Sequence, residues 1–256
     1  MATQLNNSVS KAFDILRLLG RGRQRISAAD VVRELGMNGI TAHRFLKTLE
    51  AEGALVQVSK GSFRLGYMLV DLGDRALEQD RLGQLLQPLL EDITRELKEA
   101  SMATIYQTGM VVCVARAKPQ RSLSVDIRVG DRLEAYCTAH GKMWLAHIAP
   151  REREKYLSTL RFEAMTDRTI VNREALEEEV ELARRRGFSY NMGEREEGIT
   201  AVAVPVLTSS GRMVAGLSMF GPTSRIDRAG LDSAIDRLKA AAAEAASVLY
   251  GKGLTE

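Results

Sequence analysis

At 256 residues, 45% hydrophobic and 27% charged, the chain has ordinary globular composition and length for a small domain plus a larger one. No apolar run approaches the roughly 20 residues that span a bilayer, and the polar stretch Met1 to Ser10 lacks a secretory h-region. Two cysteines, Cys113 and Cys137, cannot build a disulfide framework, so a reducing cytoplasm is expected. The net charge of +3 is uneven: residues 1–70 carry ten Lys/Arg against five Asp/Glu, the remainder 26 against 28. A basic first quarter on a near-neutral body predicts a polyanionic partner for that quarter alone.

Val9, Ala12, Phe13, Leu16 and Leu19 recur at helical spacing, so Ser8 to Gly20 is predicted as an amphipathic helix. After the polar loop Arg21 to Arg25, Ser27 with Asp30 forms a capping-box start for a second helix. That helix should bury Val31, Val32 and Leu35 and stop at Gly36. Following the turn Met37-Asn38-Gly39, a third helix from about Ile40 to Ala51 carries the stripe Ala42, Phe45, Leu46 and Leu49. Arg44 lies almost opposite that stripe, flanked by Ile40, Lys47 and Thr48, with Thr41 and His43 at its margins. Leu55 to Val58 and Ser62 to Leu65 alternate around Ser59-Lys60-Gly61, a hairpin with a basic tip.

Two helices, a short turn, a third helix and a basic hairpin describe a winged helix-turn-helix. The third helix fits a major groove. Arg44 is the candidate for a bidentate guanine contact, worth about 1–3 kcal/mol of discrimination. Lys47, Lys60 and Arg64 would meet phosphates. Ser27, Asn38, Gly39, Ile40, Thr41 and His43 complete the candidate DNA-facing set.

The stretches "SVSKAFDILRLLG" and "ISAADVVRELGMNGITAHRFLKTLEAEGALVQVSKGSFRLG" resemble the DNA-binding domain of IclR-type transcriptional regulators. In order, "VGDRLEAYCTAHGKMWLA", "ALEEEVELARRRGFSYNMGEREEGITAVAVPV" and "GRMVAGLSMFGPTSRI" resemble that family's effector-binding domain. The resemblance implies a GAF-like effector domain, self-association as a dimer or dimer of dimers, double-stranded operator DNA and a small organic acid as partners, and no cofactor. The expected division is 6–68 for the winged helix-turn-helix, 69–88 for a linker helix and 89–252 for the effector-binding domain.

From Tyr67 a helical pattern continues to Pro88, the linker helix that the resemblance ties to dimerisation; its apolar stripe needs a partner, which could equally be the chain's own C-terminal domain. A helix over Leu90 to Ala100 then precedes strand candidates at Met102 to Tyr106, Val111 to Ala115 and Leu123 to Val129. Helices are predicted over Ala139 to Ile148, Arg151 to Leu157 and Arg173 to Arg186. A hairpin of Thr200 to Leu207 with Met213 to Phe220 follows, then a closing helix over Arg228 to Tyr250. Mixed order without strict βαβ alternation predicts an α+β fold, an antiparallel sheet flanked by helices. The runs "EEEVELARRR" and "EREEG" are expected to be solvated or structural.

The segment "YCTAHGK" at Tyr136 to Lys142 pairs a cysteine with a histidine. An alternative function follows from it: a small-molecule-binding or hydrolytic enzyme using Cys137 and His140, with an N-terminal domain serving only association. A thiol nucleophile needs a base in reach and usually a third group, and no hydrolase motif surrounds this pair. Zinc would need three or four ligands, and His43, Cys113 and His147 lack ligand spacing. The favoured reading uses the backbone. Thr138 caps the following helix and leaves the amides of Ala139, His140 and Gly141 open, a natural carboxylate site. The resemblance places the effector's carboxylate at this junction, Cys137 included. Where acid-binding members present Asp, Cys and two Ser, this chain has Asn191, Ala201, Ser218 and Phe220. Those exchanges favour a ring-bearing acid over a tiny hydrophilic one.

Overall fold

The computed structural model describes residues 6–20, 22–121 and 125–250, and the chain divides into two compact units, 1–79 and 80–256. In the first unit, α1 (Asn7–Arg17) is capped by the Asn6 side chain, which accepts from the N–H groups of Ser8 and Val9. Helix α2 (Ala28–Leu35) opens on the Ser27/Asp30 capping box and ends at Gly36 with φ 63°. Helix α3 (Gly39–Ala51) is capped by Asn38, whose Oδ1 accepts from Thr41 N–H at 2.8 Å. Strands β1 (Leu55–Ser59) and β2 (Ser62–Leu65) pair antiparallel, and Ile26 bridges to Phe63 beside them. This is the winged helix-turn-helix that the sequence predicts.

The first unit's core differs from the expected stripe on α1. Ile15 and Leu19 are buried, whereas Val9 and Phe13 are 54% and 53% exposed within this chain. Two overlapping apolar series, 9/13/16 and 12/15/19, both satisfy helical spacing. Packing against Val31, Leu46 and Phe63 selects the second. On α2, Val31 is buried but Val32 is exposed.

The single helix expected from Tyr67 to Pro88 is instead two, α4 (Met68–Glu78) and α5 (Arg81–Leu97). Asp80 starts the second by accepting from Gly83 N–H at 3.0 Å. Pro88 lies inside α5 rather than at its end. Leu86, Leu89, Leu90 and Ile93 bury α5 in the second unit's core, so a linker ending at residue 88 does not match the packing. No residue of α4 is buried.

The second unit holds β3 (Ala100–Gln107), β4 (Met110–Ala117) and β5 (Arg132–Glu134). Helices α6 (Ala139–His147), α7 (Pro150–Thr159) and α8 (Arg173–Arg186) follow. Strands β6 (Ser189–Met192), β7 (Ile199–Leu207) and β8 (Met213–Pro222) and helix α9 (Arg228–Tyr250) complete it. The six strands form one antiparallel sheet in the order β5-β4-β3-β8-β7-β6. Strand alternation divides the core between its two faces. Val202, Val204, Val206, Leu217 and Met219 pack with α5 and α9. Met102, Cys113 and Phe220 share the opposite layer with Met143, Trp144, Leu176 and Val180 of α6 and α8. The expected α+β architecture is present.

Two strand expectations need correction. The one over Leu123 to Val129 begins outside the described residues, and 125–129 form no strand. Arg132–Glu134 instead takes the sheet edge beside β4, because Arg116 reaches across to the Ile127 carbonyl at 2.6 Å and holds that segment as a loop. Strand β6 went unpredicted: four residues after a Gly187 helix stop are too few for a periodic signal.

Candidate functional site

The first site is the outer face of α3. The first three residues of α3 are not buried, and Ile40 is 79% exposed. Gly39, His43 and Arg44 are exposed and Thr41 half-buried. The Arg44 side chain has no hydrogen-bond or ion-pair partner among the described residues, so its guanidinium is open to a partner. Lys60 stands exposed at the hairpin tip beside Gly61, whose φ of 73° makes the tight turn.

Four of the proposed DNA-facing residues are otherwise engaged, Asn38 through the cap of α3. Lys47 donates to Glu50 at 2.8 Å and to Gln57 at 3.1 Å. Arg64 donates to the Leu65 carbonyl at 2.8 Å and stacks over Tyr67. The Ser27 hydroxyl serves the capping box, donating to Asp30 at 2.7 Å.

The second site is a cavity of about 50 Å³ at the start of α6. Thr138, Ala139, His140, Asn191, Ala201 and Phe220 line it as the sequence suggests, and Ala201 and Phe220 are register partners across β7 and β8. Met102, Val125, Ile127, Leu133, Arg195, Glu196 and Ile199 line it as well and were missed by sequence reasoning. Chain alternation could have offered Met102, the register partner of Ser218 on β3. The loop cation Arg195 carried no periodic signal.

Cys137, Gly141 and Ser218 do not line the cavity. Gly141 N–H is taken by the Thr138 hydroxyl at 3.1 Å. The N–H groups of Ala139 and His140 meet no acceptor among the described residues, leaving two donors at the positive end of α6. The Ser218 hydroxyl instead lies 2.6 Å from His140 Nε2, and Thr104 Oγ1 lies 2.9 Å from His140 Nδ1. Burial pushes the His140 imidazole down to about 3, so the ring is neutral at physiological pH. Asn191 is spent on the local backbone: its Nδ2 donates to the Cys137 carbonyl at 3.1 Å and its Oδ1 accepts from Glu194 N–H at 2.8 Å.

The Cys137/His140 pair is not assembled. Burial pushes the Cys137 thiol up to about 12, a protonated and unreactive state. The imidazole bonds two hydroxyls on the sheet instead of the thiol. Among the described residues, no group of three or more His, Cys, Asp or Glu could hold a metal ion.

Two ion pairs involve this part of the fold, of whose members only Arg195 lines the cavity. Arg195 Nε meets Glu134 Oε2 at 2.7 Å. Lys142, 1% exposed on α6, donates to Glu194 Oε1 at 2.5 Å, and Glu194 Oε2 is buried without a hydrogen-bond partner among the described residues. Burial raises the Glu194 carboxyl above its ordinary range despite the attraction of Lys142. The "EREEG" stretch is therefore partly interior.

The model of the C-terminal domain of IclR bacterial transcriptional regulators matches residues 74–247, and that of the IclR helix-turn-helix domain matches 8–59. The regulator KdgR of Escherichia coli (strain K12) is 30% identical over 237 residues, 92% of this chain and 90% of its own. XynR of the same organism is 28% identical over 235 residues, 91% and 93% of the two chains. The Thermotoga maritima IclR crystal structure superposes with TM-score 0.72 at 26% identity, covering 96% of this chain and 99% of its own. An IclR homolog from Microbacterium hydrocarbonoxydans, complexed with 4-hydroxybenzoate, gives TM-score 0.78 at 26% identity over 95% and 99%. No helix among the described residues is long and apolar enough to cross a membrane. With both family models matched in order, the chain belongs to the IclR family of bacterial transcriptional regulators, DNA-binding proteins with an effector-binding C-terminal domain.

Proposed function

We propose that this regulator reads operator DNA with the outer face of α3 and answers a small, ring-bearing carboxylic acid held at the start of α6. The observation that carries the effector half is the cavity itself, lined by Ala139 and His140, whose main-chain N–H groups meet no acceptor among the described residues, together with Phe220, Met102 and Ile127. Charge-assisted hydrogen bonds from such amides contribute about 1.5–3 kcal/mol, and an aromatic pair about 0.5–1.5 kcal/mol. The 4-hydroxybenzoate bound by the Microbacterium relative has this chemistry. Arg44 reads a base, and Lys60 meets a phosphate. The exposed apolar side chains Val9, Phe13, Val70 and Leu72 support self-association as a dimer or dimer of dimers. Its place of work is the cytoplasm.

Calorimetric titration of the purified protein with benzoate-type and pyruvate-type acids tests the effector class. Tighter binding of the small keto acids would end the aromatic assignment. A gel shift against DNA upstream of the protein's own gene, at two salt concentrations, tests the other half. A defined site should bind, and binding should weaken steeply as salt rises.

A further inference from the structure

The acid-effector reading leaves one cation of the cavity unexplained. Arg195, on the loop between β6 and β7, lines the space and is only half-buried. Its Nε is held by Glu134 at 2.7 Å, whereas its two terminal nitrogens have no acceptor among the described residues. Glu134 itself is not part of the lining.

The other polar side chains there are committed. The His140 ring serves Thr104 and Ser218, the Asn191 amide serves the backbone, and the Thr138 hydroxyl donates to the Glu134 carbonyl at 2.6 Å. Glu196, the only acid of the lining, is solvent-exposed. What stays without an acceptor among the described residues is therefore a set of donors on lining residues: two main-chain N–H groups and the two terminal nitrogens of one guanidinium.

We propose that Arg195 grips the effector's acidic group, and that Glu134 is the partner it holds beforehand and gives up on binding. The inference rests on the acid-effector reading of this cavity. A guanidinium presents a planar fork that matches a carboxylate with two parallel bonds, which an ammonium cannot do. The exchange also has a structural consequence. Glu134 closes β5, and its carbonyl anchors the Thr138 cap of α6. Releasing its carboxylate alters the strand end on which the amide site is built.

The test uses calorimetry on the full chain with 4-hydroxybenzoate and its uncharged analogue 4-hydroxybenzamide. Four proteins are compared: wild type, Arg195→Gln, Arg195→Lys and Glu134→Gln. Arg195→Gln should weaken the acid about ten- to a hundred-fold and erase the preference for acid over amide. Arg195→Lys should fall between it and wild type. Glu134→Gln should tighten the acid by up to about five-fold, because a competing carboxylate worth at most about that factor is gone.

A purely structural ion pair predicts that Arg195→Gln and Glu134→Gln shift affinity in the same direction. That outcome, or an Arg195→Gln protein that keeps its preference for the acid, overturns the assignment while leaving the acid-effector reading intact. A wild-type protein that binds neither probe, nor any other aromatic acid, overturns both.

Discussion

Lys142 and Glu194 offer the sharpest energetic test of how the effector site is held. Lys142 projects from α6 one turn beyond the open amides, and Glu194 precedes Arg195 on the loop across the cavity. Replacing Lys142 by Met leaves the Glu194 carboxylate buried, already with one oxygen unsatisfied. Glu179, 3.9 Å from the Lys142 ammonium, keeps Arg186 at 2.6 Å as its own partner and supplies no compensation. Stranding a buried charge costs about 3–5 kcal/mol, or about 6–20 °C in the melting of a unit of this size. The double variant Lys142→Met/Glu194→Gln removes both charges and should recover most of that loss, because a buried pair and a neutral replacement differ little.

Urea and thermal unfolding of the full chain would measure both, with the winged helix-turn-helix transition as an internal reference. The cost of Lys142→Met should also shrink with acid. Burial raises the Glu194 carboxyl in the folded state above its ordinary value of about 4.5. A raised carboxyl favours the folded state below the unfolded value, and that advantage is lost as pH rises through the folded one. Removing the ammonium raises it further, so the deficit against wild type should narrow as pH falls toward about 4.5. A single variant costing under about 1 kcal/mol, or a double variant as unstable as the single, would refute the buried-pair account.

Arg44→Ala should lose about 1–3 kcal/mol of discrimination between operator and mismatched sites in competition gel shifts, whereas Lys60→Ala should weaken all DNA alike and reduce the salt slope by about one. Unchanged preference in Arg44→Ala would mean another face does the reading. Lys47→Ala should matter less than Lys60→Ala, because Lys47 is already engaged with Glu50 and Gln57. Phe220→Ser should shift calorimetric preference from ring-bearing toward small hydrophilic acids; an unaltered ranking would show that Phe220 only fills space. Burial holds the His140 imidazole down to about 3, against about 6.5 for a free imidazole, so its burial favours folding above about 6.5 and that contribution is lost as pH falls toward about 3. His140→Gln should flatten the wild-type decline in urea midpoint across that window, and an identical decline would place the titration elsewhere.

Where local chemistry decides, the sequence was legible. Ser27 with Asp30 and Gly36 act within four residues, and each sits where capping rules put it; the Asn38 cap of α3 is just as local, yet the sequence reading placed Asn38 only in a turn and on the DNA-facing side. The hairpin and the long helix α8 were equally plain. Features set by distant partners were not. Phe13 and Ile15 are equally good helix-face residues until Val31 and Phe63 choose between them. Pro88 reads as a stop, yet Leu86, Leu89 and Leu90 bury the helix on both sides of it.

The same division runs through the site. Thr138 as a cap is a local fact. The fate of His140 depends on Thr104 and Ser218, 36 and 78 residues away in sequence. Arg195 was hidden for a related reason: in a run of charges, nothing local distinguishes the one that turns inward.

The size of the cavity supplies the remaining step toward regulation. A pocket that admits benzene measures about 150 Å³, and the space here is about 50 Å³. The ring-bearing acid proposed above would therefore need the space to enlarge. The walls differ in how readily they give. Ala201 and Phe220 belong to paired strands in the middle of the sheet. Val125 and Ile127 lie in a segment without regular structure, and Arg195 and Glu196 on a turn. A ligand shifts an equilibrium only by its difference in affinity for the two states, and a contracted pocket makes that difference large because one state excludes the ligand sterically. If the acid proposed above is the effector, Phe220 and the small space beside it would disfavour it in this conformation, so that its binding would stabilise an enlarged one.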